Sequence, residues 1–236
     1  MRRRTSKQQS RQRRNRITVF AFFALILILV FCQLLLMYST PGEIPSDSES
    51  GKSEEDTWAL VLVNFSHPIE DGPDALAEFS DGQWVDERML SDLQNMLDAC
   101  RDAGLLPCVT SSYRTYEDQE SVFNAQVRVR VLSGLTDAEA EAETLQWVAR
   151  PGYSEHQTGL AVDINSADED ACPSRLIYEW LSEHCARYGF ILRYPGSRQE
   201  ITGIRFEPWH FRYVGRKAAE TIMWRGITLE EYLGVE

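Results

Sequence analysis

Two imidazoles and two carboxylates stand out in this chain for what they could do together. His156 and Asp163 lie seven residues apart in Ser154-Glu155-His156-Gln157-Thr158-Gly159-Leu160-Ala161-Val162-Asp163, and Glu207 and His210 lie three apart in Glu207-Pro208-Trp209-His210. Two histidines and a carboxylate are a donor set that suits Zn²⁺, and three protein ligands leave a fourth position open for water. A further carboxylate near that water can serve as general base. The spacing from His156 to Asp163 is too long for one helical turn. It fits a loop histidine leading into a strand that carries Asp163, with Gly159 letting the backbone turn closely. Pro208 excludes a regular helix interior between Glu207 and His210, and at a strand end the pair can be aimed into one pocket. Taken singly, each residue has a plainer reading: a histidine satisfied within the fold or at its surface, an aspartate that caps a turn. Two other imidazoles compete. His67 precedes Pro68 in a loop, and His184 follows Glu183 on a helix face exposed to water.

The elements that must position these groups are legible in outline. Residues 58–63 form a short apolar run expected to be a strand. Met89, Leu90, Leu93, Met96, Leu97 and Cys100 recur at three- and four-residue spacing, which predicts a helix over about 86–103 with Gly104 as its stop. Residues 108–111 read as a second strand. Thr115-x-x-Asp118 and Thr136-x-x-Glu139 are N-cap patterns that open helices running to about Leu132 and Ala149. Residues 160–164 alternate as a strand through Asp163, and 174–188 form a helix closed by Gly189. Three short β segments are expected at 190–194, 203–207 and 210–214, then two short helices, the last capped by Thr228-x-x-Glu231. Helices first and antiparallel strands later point to an α+β domain rather than a doubly wound sheet.

Charge and hydropathy divide the rest. Residues 1–16 hold eight Lys/Arg and no acid, leaving 16 basic against 36 acidic side chains beyond them, a balance of −20. That acidity argues against nucleic acid as a partner. Residues 17–38 contain no charged side chain, and a helix of that length spans about 33 Å, close to the hydrocarbon thickness of a bilayer. The run is longer than a signal-peptide core and lacks a small-residue cleavage site. It is therefore expected to be an uncleaved transmembrane anchor with the basic 1–16 segment as a cytoplasmic tail, so that everything after Tyr38 faces outward. Residues 39–56 are polar and acidic, too poor in apolar groups to repay ordering, and are expected to be a flexible tether. The folded domain is expected over 57–236. Cys100, Cys108, Cys172 and Cys185 fall in the exported part, where disulfides persist. Their three possible pairings, or none, remain open.

The motif Ser154-x-His156-x-x-Gly159-x-Ala161-x-Asp163 with Glu207-x-x-His210 resembles the signature of the LAS (hedgehog-like) zinc peptidases. The longer segments 151–159, Gly189-Phe190-Ile191-Leu192-Arg193-Tyr194-Pro195 and 207–215 are similar to VanY-type D-alanyl-D-alanine carboxypeptidases. Ser112-Tyr113-Arg114-Thr115-Tyr116-Glu117-Asp118-Gln119 resembles that family's arginine-bearing segment. The resemblance covers about 58–234 and shows no departure at a ligand position. It implies a small antiparallel sheet bearing one Zn²⁺, held by His156, Asp163 and His210. It implies Glu207 as base and then acid, and Arg114 as substrate and oxyanion contact. Gln119, Ser112, Tyr113 and Ser154 are further candidates for holding substrate. Trp209 and Phe211 are expected to pack around the site, and Arg193 and Arg212 to balance the acidic surface. The implied substrate is a peptidoglycan stem peptide ending in D-Ala. L,D-carboxypeptidase, D,D-dipeptidase and endopeptidase activities of the same group stay open, as does a wall-binding module without catalysis.

Overall fold

The computed structural model describes residues 57–69, 72–80 and 82–235. The expected basic tail, membrane span and acidic tether at 1–16, 17–38 and 39–56 lie outside the described residues, as does Cys32. Among the described residues no helix is long and apolar enough to cross a membrane.

A hairpin of β1 (Leu76–Ser80) and β2 (Gln83–Asp86) opens the domain. Helix α1 (Leu90–Asp102) follows and buries Leu93, Met96, Leu97 and Cys100 on its expected stripe. Strand β3 (Pro107–Ser111) leads to α2 (Tyr116–Leu132) and α3 (Asp137–Thr144). Thr115 and Thr136 each accept from the N3 amide while the N3 carboxylate reaches back, so both predicted capping boxes form, as does the one at Thr228. Each such cap contributes about 1 kcal/mol. Strand β4 (Ala161–Ser166), α4 (Ser174–His184), β5 (Phe190–Leu192) and the short α5 (Gln199–Thr202) come next. Then β6 (His210–Tyr213), α6 (Arg216–Arg225) and α7 (Leu229–Leu233) complete the domain.

The main sheet has four antiparallel strands in the order β3-β4-β6-β5. Successive side chains of a strand point to opposite faces, and the sheet uses that alternation to separate core from chemistry. On one face Val109, Val162, Ile164, Phe190, Phe211 and Tyr213 join α1 and α4 in the principal core. A smaller core gathers Ile191 and Val214 with Ala218, Ala219, Ile222 and Leu229. The interleaved positions Asp163, His210 and Arg212 therefore share the face opposite the principal core. The result is the expected α+β arrangement, small antiparallel sheets flanked by helices.

Four expectations fail locally. Residues 58–63 form no strand: Thr57–Leu60 is a 3₁₀ turn, and the Ala59 and Val61 carbonyls each accept from Arg212 Nη2 at 2.9 Å. A guanidinium, rather than a neighbouring strand, satisfies that backbone. Residues 203–207 form no strand either; the Arg205 amide donates to the Gln146 carbonyl instead. Helix α3 stops at Thr144, short of Ala149, whose carbonyl accepts from the Gln119 side chain at 2.7 Å. Arg193 and Arg212 are not surface charges but 1% and 0% exposed. Cys100, Cys108, Cys172 and Cys185 are all unpaired.

Candidate metal centre

Sheet register brings the two sequence motifs together. Asp163 in β4 is directly opposite His210 in β6 and lies beside Ser111 of β3 on its other flank. His156 sits on a 3₁₀ turn, Glu155–Thr158, immediately before β4. Gly159 ends that turn in the left-handed region at φ 71°, and a Cβ there would lie 2.9 Å from the Asp86 amide nitrogen. Glycine is thus required twice over, for its backbone angle and for the close approach of the β2 strand. Glu207 begins a tight turn with Pro208 second, closed by the His210 amide donating to the Glu207 carbonyl at 3.2 Å. That turn puts Glu207 Oε2 3.9 Å from His210 Nδ1.

One ligand atom from each of His156, Asp163 and His210 lies within 4.8 Å of the others. His156 Nε2 is 3.4 Å from Asp163 Oδ2, and His210 Nδ1 is 3.1 Å from Asp163 Oδ1. The remaining ring nitrogens fix the tautomers. His156 Nδ1 faces the Ser112 carbonyl at 2.7 Å, which only accepts, so the proton sits on Nδ1 and Nε2 keeps its lone pair. His210 Nε2 faces the Glu155 carboxylate at 3.4 Å, which also only accepts, so in the neutral ring the proton sits on Nε2 and Nδ1 keeps a lone pair for a metal. Such partners behind each imidazole are what orient metal-binding histidines.

Electrostatics favour a cation at the same spot. Burial depresses the charged form of His210, yet hydrogen bonds to Asp163 and Glu155 outweigh it and push its pKa up to about 9. Burial would also raise Asp163, but His156 and His210 hold it well below the usual carboxylate range. Glu207 behaves differently. Burial, against the pull of His210 and helped by Asp163, pushes it up to about 7, so it can hold or release a proton near neutrality. Once a metal displaces the proton from His210, two imidazole nitrogens and one ionised carboxylate form a donor set that fits a divalent metal of zinc's type.

Glu155 was not legible as part of this centre. It is 2% exposed, and it pairs with Arg193 Nε at 2.7 Å and Arg212 Nη1 at 3.3 Å. Burial opposes its ionisation, but the two guanidiniums hold its pKa far below normal. Arg193 also grips Glu230 with both terminal nitrogens, at 2.9 and 2.6 Å, and Glu230 accepts from Asn64 at 3.1 Å. The period-2 pattern carried a signal for this cluster, since Arg212 sits two residues after His210 and so shares its face. Tyr194, also missed, lays its ring against His210 with centroids 4.8 Å apart.

The other candidates divide. Arg114 Nη2 lies 3.4 Å from Asp163 Oδ2, and the guanidinium is braced by Ser111 Oγ at 2.8 Å and Gln119 Oε1 at 2.9 Å. Arg114, Gln119 and Ser154 line a cavity of about 370 Å³ together with Glu207, Trp209 and the three metal-type ligands. Ser112 and Tyr113 do not line it. The Ser112 hydroxyl donates to Gln83 at 2.7 Å and the Tyr113 amide donates to the Trp84 carbonyl at 2.9 Å, so both tie the β1–β2 hairpin to the sheet. Phe211 belongs to the principal core on the far face. His67 bonds to Asn64 at 2.9 Å, and His184 packs on Trp180 with centroids 4.5 Å apart; neither reaches the centre.

A sheet-borne His-Asp-His site with a neighbouring glutamate defines a metal-dependent hydrolase of the peptidase type. The family model for VanY, D-alanyl-D-alanine carboxypeptidase, matches residues 82–216. A D-alanyl-D-alanine carboxypeptidase of Enterococcus faecalis is 46% identical over 197 residues, covering 83% of this chain and 73% of its own. A solved structure of VanYB in complex with D-alanine-D-alanine is 47% identical with a TM-score of 0.73, covering 76% of this chain and 99% of that one. A glutamate-to-alanine variant of the vancomycin-resistance D,D-pentapeptidase VanY, solved with Zn(II), is 46% identical with a TM-score of 0.71, covering 75% and 99%. The chain belongs to the VanY family of D-alanyl-D-alanine carboxypeptidases.

Proposed function

We propose that this protein removes the terminal D-Ala from peptidoglycan stem peptides in a zinc-dependent reaction whose proton transfers run through Glu207. The observation that carries the reading is the convergence of His156 Nε2, Asp163 and His210 Nδ1 beside Glu207. Zinc held by those three residues supplies the Lewis acidity that amide hydrolysis needs. Glu207, with a pKa of about 7 before the ion's charge is added, accepts a proton from the attacking water and later delivers it to the leaving amine. Arg114 presents its guanidinium across Asp163 and offers forked donors to the carbonyl oxygen as negative charge develops there, or to the substrate's terminal carboxylate. Gln119 and Ser111 keep that fork in one orientation. Ser154 lines the same wall and offers a hydroxyl to the peptide.

Mass spectrometry of pentapeptide stems incubated with the domain tests this. Loss of one D-Ala, abolished by a zinc chelator and restored by added Zn²⁺, is the expected result. Glu207→Ala is expected to keep its metal and lose about 100- to 10,000-fold in rate, the usual weight of a general base. Full activity in that variant removes Glu207 from the reaction.

We further propose that residues 17–38 anchor the enzyme in the cell membrane with residues 1–16 cytoplasmic, which places the catalytic domain on the side of the wall. The uncharged run and its basic flank support this. Protease added to intact spheroplasts should then digest the domain and spare the tail.

A further inference from the structure

The cavity does not end at the metal centre. Gln119, Val122, Gln126 and Arg130 all line it, at the three- and four-residue spacing that puts them on one face of α2. Gln119 belongs to the metal end through Arg114, whereas Arg130 lies three turns further along. The Arg130 side chain leans back toward the helix start, with Nη1 donating to the Gln126 carbonyl at 3.1 Å and to its side-chain oxygen at 2.9 Å. Its guanidinium therefore sits near Gln126, about 10 Å along the helix from Gln119. Arg130 is only 15% exposed, and its nearest carboxylate, Glu143 Oε1, is 3.8 Å from Nε, too far for a hydrogen bond. Buried Nε has no hydrogen-bond partner. Trp147 and Val148 line the cavity as well, and neither side chain carries a charge.

A carboxypeptidase leaves a single residue beyond the bond it cuts, so a cavity running about 10 Å past Gln119 serves the part of the substrate that is kept. Extended chain advances about 3.3 Å per residue, so that distance corresponds to about three residues. We propose that Arg130, with the Gln126 amide beside it, forms a second subsite that receives a carboxylate carried by the peptide about three residues upstream of the scissile bond. The inference rests on the carboxypeptidase reading. It makes Arg130 a specificity-determining residue that tells an acidic stem from the same stem amidated at that position.

The test compares three substrates: a pentapeptide with a free side carboxylate on its second residue, the same peptide amidated there, and an N-blocked D-Ala-D-Ala dipeptide. Wild-type protein is expected to prefer the acid over the amide in kcat/KM, carried mainly by KM. Arg130→Gln is expected to lower the acid-to-amide ratio about tenfold, the weight of one charge-assisted contact. Arg130→Glu is expected to invert the preference. Glu143→Gln, which frees the guanidinium from its one nearby acid, is expected to raise the ratio. If Arg130 only staples α2 to α3, both Arg130→Gln and Glu143→Gln leave the ratio where it is in wild type, and the proposal is overturned. Release of D-Ala by wild type at equal efficiency from all three substrates also overturns the subsite while leaving the carboxypeptidase intact. Absence of release from every one of them overturns both.

Discussion

Replacing Glu155 by glutamine removes one negative charge from a spot where three positive or proton-donating groups meet. Its carboxylate lies 2.7 Å from Arg193 Nε, 3.3 Å from Arg212 Nη1 and 3.4 Å from His210 Nε2, and its side chain is wholly buried. Removing one partner from a buried charge cluster costs about 3–5 kcal/mol. Arg193 keeps Glu230, and two other Arg212 nitrogens keep carbonyl partners, so the lower end, about 3 kcal/mol, is expected. A domain of ordinary stability, about 5–15 kcal/mol, stays folded after such a loss. The same substitution weakens the acceptor behind His210, and loss of such a partner typically lowers metal affinity about 10- to 100-fold. Glu230→Gln is the control. It breaks the two-pronged grip on Arg193 and costs a comparable amount of stability, but it does not touch His210. Urea unfolding of metal-free protein measures the first quantity, and competition for Zn²⁺ against a chromophoric chelator measures the second. Both variants should unfold earlier, and only Glu155→Gln should bind zinc more weakly. Equal zinc affinity in wild type and Glu155→Gln, or an equal drop in both variants, would refute the assignment of Glu155 to the orientation of His210.

Three further outcomes follow from the geometry. Arg114→Lys keeps a charge but loses the fork, and kcat/KM for D-Ala release should fall about 10- to 100-fold in steady-state assays. Gly159→Ala forces a left-handed angle on alanine and drives its Cβ against the Asp86 amide; the midpoint of urea unfolding should drop by an amount equivalent to about 2 kcal/mol. Burial pushes the Cys100 thiol up to about 11 and the Cys185 thiol up to about 12. A raised pKa means that both remain protonated, and so unreactive, at pH 8. Native protein should therefore leave both unlabelled by iodoacetamide at that pH, while urea-unfolded protein is labelled at each.

What the sequence disclosed depended on how local the physics was. Capping at Thr115, Thr136 and Thr228 involves residues three apart, and all three boxes form. The stripe of α1 is likewise local. His156, Asp163, Glu207 and His210 were legible as candidates from their types and as a set through the family resemblance of their two motifs. Their convergence could not be read directly, since it depends on β4 pairing with β6. The larger failures are long-range. The apolar run at 58–63 looks like a strand until Arg212, far along the chain, claims its carbonyls. Glu155, next to a histidine in a loop, gains its role only when Arg193, just past β5, and Arg212 of β6 close on it. The β1–β2 hairpin was missed although Asp81-Gly82 is a turn dipeptide, because Leu76–Ser80 mixes polar and apolar residues without clean alternation.

The direct pairing of Asp163 with His210 has a consequence for how such proteins can diversify. A shift of one residue in β4 against β6 would turn one of the two toward the core and dismantle the centre. The turns just before those strands share the constraint, since they carry His156 and Glu207; more distant segments do not. The far end of α2 and the segment after α3, which line the cavity away from the centre, can lengthen, shorten or exchange side chains without moving the metal ligands. New substrate preferences can therefore evolve at the rim by insertion and drift, while the arithmetic of two facing strands keeps the reaction itself unchanged.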